Sequence, residues 1–145
     1  MSVQPRPATG YAGDLTATEA WDLLASDPQA VLVDVRTDAE WRYVGVPDLR
    51  DLGRQALLVE WVSYPSGQQN TRFLDQLVEA GLTPERPVVF LCRSGQRSIG
   101  AAQTVTAAGY GPAYNVLDGF EGATGPDGHR GHTGWRADGL PWVQP

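Results

Sequence analysis

The 145-residue chain contains no lysine: all 11 of its basic residues are arginine. Schiff-base chemistry and a P-loop lysine on phosphates are thereby excluded. Cysteine occurs once and histidine twice. One cysteine forms no intramolecular disulfide, and structural zinc would need four ligands drawn from Cys92, His129, His132 and a carboxylate, so no metal or other cofactor is expected. No segment approaches the roughly 18 apolar residues of a membrane helix. The N-terminal Met1-Ser2-Val3-Gln4-Pro5-Arg6-Pro7 lacks the apolar core of a secretory signal, which makes cytoplasmic the expected location and leaves no membrane partner. Positive charge is scarce as well. The formal net charge of -6 opposes a nucleic-acid partner, because phosphate backbones are held by clustered basic residues.

What is present fits one folded domain. Hydrophobic residues make up 41% and charged residues 19%, while 17 glycines and 11 prolines predict substantial loop. Residues 1–13, rich in proline and glycine, read as a flexible arm, and 14–145 as the domain. Thr16-Ala17-Thr18-Glu19 has the capping-box pattern, followed by an apolar stripe at helical spacing (Ala20, Trp21, Leu23, Leu24) that predicts a helix to Ser26. Val31 to Val35 is short, β-branched and almost wholly apolar, as in a strand buried on both faces of a parallel sheet. A second capping box at Thr37-Asp38-Ala39-Glu40 starts a short helix to Tyr43. Further strands are expected over 57–61, 87–92 and 114–117, with one helix capped by Asn70 that runs through Phe73, Leu74, Leu77 and Val78 and stops at Gly81, and another over 99–108. Strands alternating with helices imply an α/β architecture, a parallel sheet with helices on both faces.

Glycine falls at every third position from Gly119 to Gly134, but with one proline among the triplets this is a loop and not collagen. Trp135, Leu140 and Trp142 are expected to pin the C-terminal tail onto the domain. His129 and His132 stand three apart in this glycine-rich loop, where no helix would align them on a metal.

The chemistry concentrates in Val88-Val89-Phe90-Leu91-Cys92-Arg93-Ser94-Gly95-Gln96-Arg97-Ser98, a buried strand running into a cysteine with a helix soon after. Ligands of open α/β sheets bind at this carboxyl edge. Successive backbone N–H groups, the positive helix terminus and two arginines would surround the sulfur and favour thiolate over thiol. Gly95 permits the tight bend. Four residues separate Cys92 from Arg97, a cradle sized for one extra atom on the sulfur, whereas tetrahedral phosphate needs a wider loop. Persulfide fits better than phosphocysteine.

The loop Cys92-Arg93-Ser94-Gly95-Gln96-Arg97-Ser98 resembles the active-site loop of rhodanese-type sulfurtransferases. The resemblance extends to Leu32-Val33-Asp34-Val35-Arg36 with Glu40-Trp41, to Asn115-Val116-Leu117-Asp118-Gly119 and to Gly139-Leu140-Pro141-Trp142, covering the chain from about Leu15. It implies a single rhodanese-like domain with a five-stranded parallel sheet flanked by helices. It also implies a cycle in which Cys92 takes a sulfane sulfur from a thiosulfate-like anion and passes it to cyanide or a thiol, a protein thiol included. Similar cell-cycle phosphatases have one more residue in this loop. Where the family continues Gly-His-Ile-Pro-Gly-Ala, this sequence reads Val44-Gly45-Val46-Pro47-Asp48-Leu49, without the histidine.

On this reading Cys92 is the nucleophile. Arg93 and Arg97 hold the anionic donor, and Ser94, Gly95, Gln96, Arg97 and Ser98 supply backbone donors, with either serine hydroxyl able to add one. For Arg97 an inward ion pair that fixes the loop stands as an equal alternative. Asp34, Arg36 and Glu40 are scaffold around the site, since an unpaired carboxylate ending a buried strand would be costly. Trp41, Trp61 and Tyr64 are core or loop anchors, Trp61 and Tyr64 with a second role open at the substrate mouth. Alternatives in other classes are a persulfide relay or sensing module serving one protein partner, and a phosphatase or arsenate reductase, which the short loop disfavours.

Overall fold

Strands that are apolar on both faces pair only where both faces can be covered, and here they form the centre of the molecule. The computed structural model describes residues 5–63 and 65–144. In chain order it contains β1 (Gly13–Leu15), α1 (Ala17–Ser26), β2 (Val31–Asp34), α2 (Asp38–Tyr43), β3 (Val46–Pro47), a 3₁₀ turn (Arg50–Leu52), β4 (Leu57–Leu58), α3 (Phe73–Glu79), β5 (Val88–Leu91), α4 (Arg97–Ala107), β6 (Ala113–Val116) and β7 (Trp142–Val143). Five strands, in the order β1-β6-β5-β2-β4, make a sheet in which every pairing is parallel. This is the expected α/β architecture.

Period-two alternation along β5 divides the core. Val88 and Phe90 join Phe73, Leu77, Ala101 and Val105 beneath α3 and α4, whereas Val89 and Leu91 join Ala20 and Leu24 of α1, together with Phe120 and Trp135, on the opposite face. Each large apolar side chain so buried contributes roughly 1.5–3 kcal/mol relative to exposure. Both capping boxes form. Thr16 and Glu19 cap α1 reciprocally, and Thr37 and Glu40 cap α2 in the same way.

Several local expectations are corrected. The strand expected over 57–61 pairs regularly only at Leu57–Leu58, and beyond it Val59 and Trp61 donate backbone N–H groups to Asp34 and Val35 as the chain bends away. Asn70 is not the cap of α3, which begins after Arg72. Instead, Asn70 Oδ1 accepts from Arg72 N at 3.0 Å, and its Nδ2 donates to Glu60 O and Gln76 Oε1. Helix α4 starts at Arg97, two residues before the expected Ile99. The first four residues of the arm lie outside the described residues. Farther along it, Arg6 exchanges two backbone hydrogen bonds of 2.9 Å with Asp14, and Gly13 already belongs to β1.

The antiparallel pair of β3 with β7 carries too short a pattern to be read from sequence. It returns the tail to the domain, where Trp135 is fully buried with Nε1 donating to Pro141 O at 2.7 Å. Gly45 occupies the position where the resemblance expects histidine. A Cβ there would stand 2.7 Å from Trp142 Cε3, so the absent side chain makes room for the tail.

Candidate active site

Parallel strands all end on one edge of the sheet, and Cys92 is the first residue beyond β5 on that edge. Its bend depends on Gly95, which has φ +94° and whose Cβ, had it one, would fall on the Leu117 carbonyl oxygen. The loop therefore closes down on the end of β6 as only glycine allows. This closure aims Gly95 N at Cys92 Sγ across 3.1 Å, with Ser98 Oγ 3.2 Å from the same sulfur. Helix α4 begins directly afterwards, and Ser98 in its first turn brings the positive helix terminus close to the sulfur. Ser94, Gln96 and the exposed Arg93 line the mouth, and Arg93 has no ion-pair partner among the described residues.

Arg97 does adopt the inward ion pair. Its Nη1 and Nη2 donate to the two Glu40 carboxylate oxygens at 2.8 and 2.9 Å. Glu40 simultaneously accepts from the Thr37 N–H and hydroxyl, both at 3.1 Å, so one carboxylate caps α2 and anchors the first residue of α4. Burial opposes the charge on Glu40, but the Arg97 hydrogen bonds and charge, with Thr37, outweigh it and hold the carboxyl below its ordinary value. A lowered folded-state value means stability that is complete above the unfolded carboxylate range, near 4.3, and is lost as pH falls through the folded value. Glu40→Gln is accordingly expected to cost about 2 kcal/mol at neutral pH, with the difference from wild type shrinking below about pH 4. Chemical unfolding across that range checks it; a constant difference would refute the charge argument.

Asp34 and Arg36 are both completely buried and form a forked pair, Nε to Oδ1 at 2.9 Å and Nη2 to Oδ2 at 2.6 Å. Arg36 Nη2 also donates to Gly45 O at 2.7 Å, and the guanidinium lies 4.1 Å from the Phe120 ring centroid. The pair thus ties the end of β2 to the chain before β3 and to the turn after β6. Cys92 opens onto a cavity of about 710 Å³ whose lining includes Ala39, Tyr43, Val44, Val62, Pro65 and Glu121. Trp61 does not line it; the indole packs edge-on to Phe73 at 5.0 Å. Tyr64 lies outside the described residues.

A family model described as the STR4 middle domain matches residues 12–145. The chain belongs to this family of rhodanese-like domains. An uncharacterized protein of Rickettsia conorii is 38% identical over 130 residues, covering 89% of this chain and 95% of that protein. The chloroplastic protein Thylakoid Rhodanese-like of Oryza sativa subsp. indica is 34% identical over 92% of this chain, which spans 25% of its length. Among solved structures, Rv0390 from M. tuberculosis superposes with a TM-score of 0.85 at 58% identity, covering 93% of this chain and 99% of that one. The polysulfide-sulfur transferase homodimer of Wolinella succinogenes gives 0.60 at 27% identity, over 89% and 76%.

Within the rhodanese-like frame, sequence reasoning saw Glu40 as a cap and Arg97 as half of a pair without seeing that they meet. It assigned no role to Asn115 or Glu121, or to Tyr43 as a cavity wall. For Asn115 a signal existed. A carboxamide inside the otherwise apolar Tyr114–Leu117 run must find partners if that strand is buried.

Proposed function

We propose that this protein is a sulfurtransferase in which Cys92 carries a sulfane sulfur from a thiosulfate-like anion to cyanide or a thiol. The observation that carries the reading is a sulfur cradled by Gly95 N and Ser98 Oγ in a cavity also lined by Arg93, a cation with no ion-pair partner among the described residues. The Cys92 thiolate attacks the outer sulfur of thiosulfate, and the S–S bond breaks with its electron pair leaving on sulfite. Cys92 then bears a persulfide. Cyanide attacks the terminal sulfur, departs as thiocyanate and returns the thiolate. A thiol acceptor gives up its proton and leaves as a persulfide instead. The polysulfide-sulfur transferase likeness supports this chemistry class.

Arg97 is occupied by Glu40, so recognition of the donor anion falls on Arg93 and the loop N–H groups. Arg93→Ala is expected to raise KM for thiosulfate about tenfold, the loss of one charge-assisted contact, while an uncharged organic polysulfide loses much less. Steady-state kinetics with both donors decide, and equal losses would argue against anion binding by Arg93.

A cavity of about 710 Å³ far exceeds thiosulfate or cyanide and favours a larger acceptor, as the relay alternative requires. Intact-protein mass measurement after thiosulfate and then after cyanide tests the central step. Gain of one sulfur that cyanide removes supports the proposal. Absence of any gain, with Cys92-dependent hydrolysis of an aryl phosphate, would replace it by the phosphatase reading.

A further inference from the structure

Asn115 is almost fully buried in β6, and its carboxamide has contacts on both ends. Nδ2 donates to Asp14 Oδ1 at 2.9 Å and to Gly95 O at 3.3 Å, while Oδ1 accepts the Ser98 hydroxyl. Gly95 and Ser98 are the residues whose N–H and hydroxyl stand at Cys92 Sγ. One side chain on the neighbouring strand therefore holds both residues that touch the sulfur, Gly95 through its carbonyl oxygen and Ser98 through its hydroxyl.

We propose that Asn115 is a positioning residue for sulfur transfer, holding Gly95 and Ser98 against Cys92 with its amide turned by Asp14. The inference rests on the sulfurtransferase reading for its cycle. Asp14 fixes the direction because an ionised carboxylate only accepts, so Nδ2 must face it and Oδ1 must face Ser98. Tyr11, whose phenol is pushed up to about 12 by burial and then by Asp14, donates its O–H to Asp14 Oδ1 at 2.8 Å and stays protonated throughout. The titratable groups around the amide are thus Asp14 and Tyr11 from β1 and its approach, and Cys92 after β5, with the Arg97–Glu40 pair beyond Ser98.

Ser98 has one hydroxyl proton and two acceptors in reach, Asn115 Oδ1 and Cys92 Sγ. An anionic sulfur, thiolate or persulfide, claims that proton, since hydrogen bonds to charged acceptors are the stronger ones. A neutral sulfur leaves it to Asn115. The serine thus stays in place as the sulfur's charge changes through the cycle.

Iodoacetamide alkylation of Cys92, followed by intact mass, reads the sulfur's reactivity without any sulfur donor. Asn115→Leu is expected to slow alkylation and kcat with thiosulfate about tenfold at neutral pH, with KM changed less than about twofold because Arg93 is untouched. In Asn115→Asp two carboxylates oppose each other. A proton shared between them at low pH restores the hydrogen bond to Asp14, though not the second one to Gly95 O, so the rate relative to wild type climbs from about pH 8 to pH 5 without reaching it, while circular dichroism reports a folded protein throughout. Ser98→Ala combined with Asn115→Leu is expected to lose less than the product of the single effects, since both act on the same sulfur. Wild-type alkylation rates in Asn115→Asp at every pH, or fully multiplicative losses in the double variant, would overturn the assignment. Failure of the wild-type protein to take up sulfur at all would instead strike the sulfurtransferase reading and leave the alkylation comparison standing.

Discussion

Cys92→Ser is expected to abolish sulfur uptake, a loss on the order of 10³-fold or more, while the protein stays folded. The sulfur is the only thiol in the chain, so no second nucleophile can take its place. A serine hydroxyl keeps the size and the hydrogen bonds to Gly95 N and Ser98 Oγ but does not ionise in the working pH range, and an oxygen cannot carry the sulfane sulfur reversibly. Stability should change by no more than about 1 kcal/mol, because the swap leaves neither a cavity nor an unpaired donor. Intact mass after thiosulfate and a thermal melt make the two measurements. An unfolded variant would assign Cys92 a packing role in the cluster with Phe90 and Ala101, and a folded variant that still gains sulfur would remove Cys92 from the chemistry.

The two capping boxes, the apolar strands and the cysteine loop were legible because each is written in neighbouring residues. Thr16 with Glu19, and Thr37 with Glu40, need only helical spacing to find each other. Val31–Asp34 and Val88–Leu91 declare double burial by having almost no polar residue to expose. What escaped is what the crossovers bring together. Glu40 and Arg97 are 57 positions apart, and Asn115 reaches Asp14 over 101. Strand β1 is three residues long, and β3 and β7 two each, so none carries enough alternation to separate it from loop. The start of α4 at Arg97 was hidden for a different reason. Gln96 makes no side-chain cap, and the helix is fixed instead by the Glu40 carboxylate on its first residue.

Asp34→Ala is expected to be the most destabilising single change around the site, costing about 3–5 kcal/mol and lowering the melting temperature by roughly 10 °C or more. The carboxylate and the Arg36 guanidinium are both fully buried, so truncating one leaves a charge in the core with no counter-charge beside it. Arg36 would keep the Gly45 carbonyl and the Phe120 ring face, and neither is an anion. The loss should therefore come from the orphaned cation more than from the missing ion pair. A second variant separates these causes: Asp34→Ala with Arg36→Met removes both charges and keeps a long apolar side chain over Phe120, and it is expected to be more stable than Asp34→Ala alone. Urea unfolding of the wild type, Asp34→Ala, Arg36→Met and the double variant closes the cycle. If the double variant proved less stable than the single one, the guanidinium's contacts with Gly45 and Phe120 would outweigh its buried charge, and Arg36 would be holding the chain before β3 in place by itself.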